Sequence, residues 1–473
     1  MSFLAIPSHW DHEADIIVIG AGTAGLPAAV IAAEAGFKVT VLESTRVIGG
    51  SFRMVAGSFA IAGSDEQKDR GIEDSLDVFY EDLIRICGSV PDLARAYVDN
   101  QIHAYHMLKE EGVEFPTVNA LPGHSRRRGL SVGGRGAQIA KVIERRAKEK
   151  GVEILFMHRA TRLFQNHHSG KVLGVRVNAK NETKNVKARR AVIVTSGGFG
   201  RNVDMISEYA PAMVHAVPKM PNSHVGDGLR MALDVGAATK DIGGAVAPSW
   251  PVCVETHSSA LWAIWYGGIL VNADGKRFHD ESCAESSYVH MTEDGMRQRG
   301  GVYWVIFNEK IMAAIGWQEG VSERVKAHVE DIRKCRMCEA DTIEELARKA
   351  GINAEGLRNT IEKYNGDVDN VGYDTVFGRK YQFGSVRPLV KIDAPKFYAI
   401  KCVTSTTSLK GGVKINAACQ VLNNYDDVIP GLYAAGEVAG GLHTKAYLLG
   451  VMSSASFTFG MIAGRNACKE PAW

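Results

Sequence analysis

The chain has 473 residues, of which 45% are hydrophobic, 23% are charged and 8% are aromatic. These proportions are ordinary for a globular protein and exclude a disordered, collagenous or coiled-coil chain. Lys plus Arg is 55 and Asp plus Glu is 53, a net charge of +2, so we expect neither nucleic acid nor an anionic membrane as a partner. The length favours about three domain-sized units and a ligand buried between them.

The cysteines and the N-terminal residues bear on the cellular compartment. Eight cysteines are scattered along the chain, which is typical of a reducing compartment. Cys335 and Cys338 have the spacing of a redox or half-zinc motif, but no second pair or histidine ligand accompanies them, so we expect free thiols and no metal. The chain has no long apolar run, and residues 1–15 lack a signal-peptide pattern. We therefore predict a cytoplasmic protein without a membrane span.

The first 45 or so residues carry the pattern of a dinucleotide-binding βαβ unit. An apolar strand is predicted at 15–20, a glycine turn at 20–25, a helix to residue 35 and a second strand at 38–42. The glycines let backbone N–H groups approach a pyrophosphate, and the acidic residue after the second strand can accept hydrogen bonds from a ribose. The residues assigned in this way are Gly20, Gly22, Ala24, Gly25, Glu43 and Ser44.

The middle of the chain continues with helices and then strands. Residues 74–112 are predicted to be largely helical, and 133–150 form an amphipathic helix. The basic cluster 126–128 is predicted to be a solvated loop, with a rim that attracts anions as the alternative. Strands at 152–156, 172–177 and 191–195 lead into a second glycine turn, which contains Ser196, Gly197 and Gly198.

An aromatic stretch after residue 241 indicates a second domain. Residues 269–281 read as a strand, a tight turn and a polar return, and 341–364 as two helices interrupted at Gly351. Apolar strands resume at residue 397. The last of them, near 430–435, runs into Gly436 and Glu437, and a final helix is predicted at 453–467.

Three glycine turns, each at the end of an apolar run, indicate that distant segments meet around one extended ligand. FAD fits this layout, because a nicotinamide dehydrogenase needs only the first unit. The turn at Leu449 and Gly450 places a further helix N-terminus where the flavin ring collects negative charge upon reduction.

An ordered set of motifs covers nearly the whole chain: GAGTAG with Glu43, GGSFRMVAG, TSGGFG, HVGDGLRMALDVGA, GGILVNADGKRFHDE, DTIEELARKAG, KGGVKIN and IPGLYAAGEVAGGLH. This set resembles the flavoproteins of the fumarate reductase and 3-ketosteroid dehydrogenase superfamily. The resemblance implies an α/β fold with a split, glutathione-reductase-like Rossmann domain at 1–243 and 402–473. It also implies an inserted α+β cap or catalytic domain at 244–401, with the active site at their junction.

The resemblance also assigns cofactor contacts. FAD is expected to be non-covalent, because residues 51–54 contain no histidine for attachment. In addition to the residues of the glycine turns, the resemblance assigns cofactor contacts to Gly49, Gly50, Ser51, Ala160, Asp227, His443 and Leu449. His443 is expected to contact the flavin through its backbone.

The chain departs from the dicarboxylate branch of the superfamily. Where fumarate reductases carry a donor arginine, a histidine and a substrate-binding arginine, this sequence has Glu285, Thr407 with Ser408, and Tyr447. Losing these cationic groups removes the charge-assisted bonds that orient two carboxylates. The replacements lie with an aromatic set that resembles the ketosteroid dehydrogenase branch: Trp250, Trp262, Trp265, Tyr266 and Tyr288.

The predicted reaction is desaturation of a cyclic ketone by an FAD-dependent dehydrogenase that acts on a CH–CH bond. One tyrosine removes the α proton, the candidates being Tyr447, Tyr288 and Tyr398, and Lys410 or Lys445 is a candidate for lowering its pKa. Electrons are expected to leave to an external acceptor. The alternatives are a reductase of enones or unsaturated acids and, from another class, a non-catalytic flavin-binding regulator.

Overall fold

The computed structural model describes residues 4–54, 58–121, 123–132, 135–180, 182–244, 251–282, 289–316, 330–382 and 387–473. The candidates Trp250, Glu285 and Tyr288 lie outside the described residues. Two large β-sheets, each with its own hydrophobic core, organise this part of the chain.

The first sheet has eight strands and is mostly parallel. Its central strands are continuous apolar runs, because a parallel strand covered on both faces buries nearly every side chain. Ile17 pairs with Thr40 on one side and with Val192 on the other. The strands in pairing order are Gln420–Leu422, Val428–Ala434, Glu182–Val194, His12–Ile19, Val39–Glu43 and Glu153–Phe156, with the hairpin strands Val172–Ala179 and His158–Gln165 continuing from Glu182–Val194. This confirms the predicted α/β fold.

Two helices beside this sheet pack very closely. The helix Gly25–Glu34 follows the first glycine turn, and the C-terminal helix Val451–Ala467 lies against it. A Cβ atom at Gly460 would lie 2.1 Å from the carbonyl oxygen of Ala24. The contact therefore depends on the absence of a side chain at residue 460, where the middle of the C-terminal helix meets the residue that precedes the other helix.

The second sheet has six strands arranged around one long strand, Phe397–Thr406. Its other strands are Val217–Pro218, Pro251–Cys253, Ile269–Val271, Val302–Asn308 and Met337–Ala340. All pairings in this sheet except that of Val217–Pro218 are antiparallel.

The predicted domain boundary at residue 402 falls inside the strand Phe397–Thr406. Residues 404–406 are polar but buried, and this strand pairs with Val302–Asn308 and Pro251–Cys253 across residues 402–404. Because residues 404–406 are polar and follow an apolar run, the sequence did not indicate that the strand continues to residue 406. We therefore place the proposed second boundary after Thr406, and the division into domains stays a prediction.

The remaining described elements complete the two units. The short strands are Ser58–Ala60, Thr117–Asn119, Gly129–Ser131, Thr239–Lys240 and Gly412–Val413. The helices are Asp65–Lys68, Leu76–Asp82, Pro91–Glu110, Arg135–Glu149, Val203–Tyr209, Asp227–Asp234, Leu261–Trp265, Val289–Arg297, Glu309–Gly316, Ile343–Ala350 and Ala354–Val371, with short 3₁₀ or π turns at Gly50–Met54, Leu83–Cys87, Pro211–Met213 and Arg299–Gly301. None of the helices in the described part of the chain has the length and apolar character needed to cross a bilayer.

Candidate active site

A cleft of about 2900 Å³ lies at the carboxyl ends of the parallel strands and extends to the second sheet. This volume exceeds the range of about 300–1000 Å³ that suits one small ligand. The cleft thus has room for an extended cofactor together with a substrate. The predicted cofactor residues that line it are Gly20, Gly22, Ala24, Glu43, Ser44, Gly50, Ser51, Ala160, Ser196, Gly197, Asp227, Gly436, Glu437 and Leu449.

The first glycine turn forms a tight cradle at one end of the cleft. Gly20 has a φ of +104°, and a Cβ atom at Gly25 would lie 1.9 Å from the carbonyl oxygen of Gly20. A Cβ atom at Gly22, by contrast, would meet no described atom within 4 Å. Gly20 and Gly25 therefore shape the turn, whereas Gly22 leaves the approach to the backbone open.

Glu43 is buried at the edge of this cradle. Its carboxylate accepts hydrogen bonds from the backbone N–H of Ala21 at 2.9 Å and from the N–H and hydroxyl of Thr45, each at 2.8 Å. These bonds fix the carboxylate in a position where it lines the cleft. The sequence pointed to Glu43 but not to Thr45, which holds it.

The second and third glycine turns meet through two side chains. A Cβ atom at Gly197 would lie 2.7 Å from Nε2 of His224, and one at Gly198 would lie 2.5 Å from Oε1 of Glu437. Gly198 thus supports the site by making room for Glu437 and does not itself line the cleft.

A chain of four neighbouring polar side chains runs through this region. The Ser51 hydroxyl lies 3.1 Å from Nε2 of His224, and Nδ1 of His224 lies 3.4 Å from Oε2 of Glu437. The hydroxyl of Ser408 donates to Oε1 of Glu437 at 2.6 Å. His224 was not among the predicted site residues; its only signal was its place in the HVGDG motif. Its burial and position between two predicted residues make it part of the cofactor region.

Asp227 begins the helix Asp227–Asp234 and pairs with Arg159. The guanidinium donates to both carboxylate oxygens at 2.6 and 2.9 Å, and this hydrogen bonding to Asp227 is the main cause that raises the pKa of Arg159. Both side chains line the cleft beside Ala160. The bidentate geometry holds the arginine as a fixed cation at this end of the cleft.

Tyr447 lines the cleft just before the C-terminal helix. Its side chain is 5% exposed and packs in the core of the second sheet. Burial raises the pKa of Tyr447 well above its ordinary value, while hydrogen bonding from the backbone of Gly450 and Met452 opposes that rise. The phenol therefore stays protonated and is suited to donate a hydrogen bond rather than to remove a proton. The raised pKa does not favour the role of base predicted for Tyr447, and that role stays a prediction.

The turn after Tyr447 is held by a buried ionic cluster. Nε2 of His124 lies 3.0 Å from the carbonyl oxygen of Leu449, and Nδ1 lies 3.2 Å from Nη1 of Arg128. Arg128 is fully buried and forms ion pairs with Asp74 and Asp82. The expectation of a solvated loop at 126–128 is therefore wrong for Arg128, because two carboxylates distant in sequence compensate its charge.

Several predicted residues do not line the cleft. Tyr398 lies in the core of the second sheet, where its hydroxyl donates to Glu309 and its ring stacks on Phe307. We therefore leave Tyr398 out of the proposed site. The other described residues that the sequence singled out and that are not part of the cleft wall are Gly25, Gly49, Gly198, Ser408, Lys410, His443 and Lys445.

His443 lines a small neighbouring cavity of about 60 Å³ with Gly436 and Glu437. Its ring lies 5.2 Å from that of Tyr447, centroid to centroid. Burial lowers the pKa of His443 to about 4, so the imidazole is neutral near physiological pH.

Aromatic and cationic side chains from the segments around the second sheet form another wall of the cleft. The rings of Trp262 and Trp265 lie 5.4 Å apart, and both line the cleft with Tyr266. The guanidinium of Arg387 lies 5.0 Å from the centre of the Tyr266 ring, and Lys380 also lines this wall. The wall thus offers apolar area together with positive charge.

The residues present fit FAD. Within the described residues, the buried hydroxyl of Ser196 and both ring nitrogens of His443 have no hydrogen-bond partner in the protein. Such groups are costly unless a ligand satisfies them. Together with the open approach at Gly22, the hydroxyl of Ser196 indicates that the cleft is shaped for a polar ligand that spans the first two glycine turns.

The fold and the cleft define an FAD-dependent oxidoreductase with a dinucleotide-binding sheet. The family model described as "FAD binding domain" matches residues 15–452, and the chain belongs to this family. FAD is therefore the cofactor.

Known proteins similar to this chain extend the comparison. Urocanate reductase from Eggerthella lenta is 31% identical, over 96% of this chain and 74% of that protein. The open conformation of a flavocytochrome c3 fumarate reductase superposes with a TM-score of 0.78 at 27% identity, over 97% of this chain and 79% of that one. A 3-ketosteroid-Δ4-(5α)-dehydrogenase from Rhodococcus jostii RHA1, at 24% identity, shares the fold with a TM-score of 0.79 over 98% of both chains. The predicted resemblance to this superfamily is confirmed.

Proposed function

We propose that this oxidoreductase acts on the CH–CH bond next to the carbonyl of a cyclic ketone. The observation that carries the proposal is the position of Tyr447, a buried neutral phenol at the cleft in place of a substrate-binding cation. Thr407, at the position of a histidine in fumarate reductases, also lines the cleft. A ketone oxygen needs a hydrogen-bond donor rather than a cationic clamp, and Tyr447 supplies one.

One set of residues would bind the cofactor and another would bind the substrate. The glycine turns, Glu43, Asp227 and the Ser51, His224 and Glu437 chain hold FAD, which supplies hydride transfer when bound. Tyr447 donates to the ketone oxygen and stabilises the negative charge that develops there. The aromatic wall of Trp262, Trp265 and Tyr266 packs on the ring of the substrate and excludes water. An external acceptor then takes the electrons.

A second candidate is a reductase of unsaturated carboxylic acids. Arg387 and Lys380, which line the cleft, are cations that can bind a carboxylate. Urocanate reductase and fumarate reductase, by their names, reduce unsaturated acids, which also favours this candidate. The two proposals differ in the substrate group that the cleft recognises.

Anaerobic titration separates the two candidates. We expect cyclohexanone or a saturated 3-ketosteroid to bleach the oxidised flavin of the purified holoenzyme. If fumarate or urocanate reoxidises the dithionite-reduced enzyme and no ketone or enone changes the flavin spectrum, the ketone proposal is wrong. Denaturing the enzyme and filtering it tests the mode of attachment, because non-covalent FAD passes into the filtrate.

A further inference from the structure

His124 lies in the loop before the strand Gly129–Ser131 and contacts two distant parts of the chain. Nε2 lies 3.0 Å from the carbonyl oxygen of Leu449, and Nδ1 lies 3.2 Å from Nη1 of Arg128. A carbonyl oxygen only accepts hydrogen bonds and a guanidinium only donates them, so Nε2 carries the proton and Nδ1 accepts. The two contacts therefore fix one neutral tautomer of the imidazole. Burial and the charge of Arg128 lower the pKa of His124 to about 4, in agreement with this tautomer.

Two carboxylates hold Arg128 and the loop of His124 in place. The Nε and Nη2 atoms of Arg128 donate to Asp74 at 2.8 Å each, and Nη1 donates to Asp82 at 2.5 Å. The backbone N–H of Ser125 also donates to Asp82, at 2.9 Å, which ties the residue after His124 to the same carboxylate. The imidazole is thus presented to Leu449 from a fixed position.

The loop of His124 packs directly on the turn that follows Tyr447. A Cβ atom at Gly123 would lie 2.7 Å from Cδ2 of Leu448. The backbone N–H of Ala60 donates to the carbonyl oxygen of Gly450 at 3.2 Å. Leu449 therefore lies between two held neighbours, and His124 holds its carbonyl.

The peptide unit of Leu449 and Gly450 links His124 to Tyr447. A trans peptide is planar, so its C=O and N–H point in opposite directions and turn together. Fixing the carbonyl of Leu449 therefore fixes the direction of the N–H of Gly450. Burial raises the pKa of the Tyr447 phenol, and hydrogen bonding from the backbone of Gly450 opposes that rise.

Hydrogen bonds that follow one another in a row polarise each other. The charged guanidinium of Arg128 donates to His124, which donates to the carbonyl of Leu449. The N–H of the same peptide unit acts on the phenol of Tyr447. A phenol whose oxygen accepts a hydrogen bond donates more strongly through its own O–H. The row thus leads from a buried cation to the group that contacts the ketone in the proposed function.

We propose that His124 is a positioning residue that orients the peptide of Leu449 and Gly450 and thereby holds the Tyr447 phenol as a strong donor to the ketone oxygen. This role requires no contact between His124 and the substrate. The inference rests on the proposed function, because its effect reaches the substrate through Tyr447.

Two measurements on the FAD-loaded enzyme test the assignment. The first is the stopped-flow rate constant for flavin reduction at saturating cyclohexanone or saturated 3-ketosteroid. The second is hydrogen exchange of residues 447–454, followed by mass spectrometry. We expect His124→Leu, which can form neither hydrogen bond, to speed this exchange and to lower the rate constant by up to about 10²-fold, the cost of a misplacement of about 1 Å. His124→Gln, which can donate to Leu449 and accept from Arg128, should restore most of both.

A double-variant cycle separates positioning from a general loss of stability. If His124 acts through Tyr447, His124→Leu should slow the wild type strongly and Tyr447→Phe hardly at all. Bound FAD and the melting temperature of each variant report whether it folds. If His124→Leu loses its FAD, His124→Ala with and without added imidazole makes the same comparison.

His12→Leu is the matched control. His12 is a half-buried histidine whose Nε2 lies 3.0 Å from the Thr40 hydroxyl and 2.9 Å from Glu153, and it does not line the cleft. Its loss should leave the rate constant and the exchange of residues 447–454 near the wild-type values.

The outcomes distinguish this inference from the proposed function. If a ketone reduces the wild-type flavin and His124→Leu keeps the wild-type rate constant, or slows Tyr447→Phe as much as it slows the wild type, His124 does not act through Tyr447. Unchanged exchange of residues 447–454 in His124→Leu would show that His124 does not hold the turn. If no ketone reduces the wild-type flavin, the proposed function fails and the link to the ketone with it, whereas faster exchange in His124→Leu would still assign the turn to His124.

Discussion

At the scale of single residues, Tyr447 gives the most direct test of the chemistry. Because its phenol stays protonated and lines the cleft, Tyr447→Phe should remove one donor to the ketone oxygen and keep the shape of the wall. We expect FAD to remain bound and flavin reduction to slow by about 10² to 10³, the usual cost of losing such a donor. Stopped-flow absorbance at saturating ketone measures the effect.

Tyr303→Phe is the matched control for Tyr447→Phe. Tyr303 is a buried tyrosine of the second sheet whose hydroxyl is hydrogen-bonded to Thr404 at 3.2 Å, and it does not line the cleft. Its loss should lower stability and leave the rate constant near the wild-type value. Equal rate constants for wild type and Tyr447→Phe would show that Tyr447 only packs.

The sequence could indicate a site residue only where the residues that identify it lie close together in the chain. Gly20, Gly22 and Glu43 follow from a strand, a turn and a second strand within one short stretch. Ser51 and His224, however, meet across 173 positions, and Arg128 reaches Asp74 across 54. No periodicity connects residues so far apart, so these partners became visible only in the folded chain.

At the scale of elements, the contact between the helix Gly25–Glu34 and the C-terminal helix provides a packing test. A Cβ atom at Gly460 would lie 2.1 Å from the carbonyl oxygen of Ala24, an atom of rigid backbone. Gly460→Ala should force these helices apart and lower the free energy of unfolding by about 1–3 kcal/mol. Urea unfolding followed by circular dichroism measures the change.

Gly366 provides the control, because it also lies inside a helix, Ala354–Val371. A Cβ atom there would meet no described atom within 4 Å. Gly366→Ala should therefore raise the free energy of unfolding by about 0.4–1 kcal/mol, since alanine restricts the unfolded chain. If Gly460→Ala raised the free energy of unfolding as Gly366→Ala does, the helix contact would not be as close as the structure has it.

Element type was predictable where the apolar pattern was long and bounded by glycine. The strand His12–Ile19 and the C-terminal helix Val451–Ala467 lie within a few residues of their predicted limits. The strand Val302–Asn308 was missed, because a short apolar run without alternation fits a strand or a buried helix equally well. Its pairing with Phe397–Thr406 decides between them.

At the scale of the whole molecule, the two cores meet at the start of the C-terminal helix. Tyr447 packs with the second core, whereas Val451 and Ala455 belong to the first. His124 fixes the carbonyl of Leu449 between them. The protonation state of this one imidazole therefore bears on how the two units are joined.

The stability of the protein should accordingly depend on the proton uptake of His124. Burial, followed by the charge of Arg128, lowers the pKa of His124 to about 4 from 6.5, although Asp82 and Asp74 act in the opposite direction. Above pH 6.5 the imidazole is neutral in the folded and the unfolded chain, so its contribution does not change with pH. As the pH falls from 6.5 toward 4, the unfolded chain binds a proton that the folded chain does not, and stability is lost.

His124→Gln should remove this pH dependence, because a glutamine can donate to Leu449 and accept from Arg128 without titrating. We expect the difference in free energy of unfolding between wild type and variant to shift by up to about 2.5 kcal/mol from about pH 7.5 to about pH 4.5, in favour of the variant at the lower pH. Urea unfolding of both holoenzymes at several pH values measures it, and contributions from other groups cancel in the difference. A difference that does not change with pH would show that the imidazole titrates alike in both states and that burial and the charge of Arg128 do not hold it neutral.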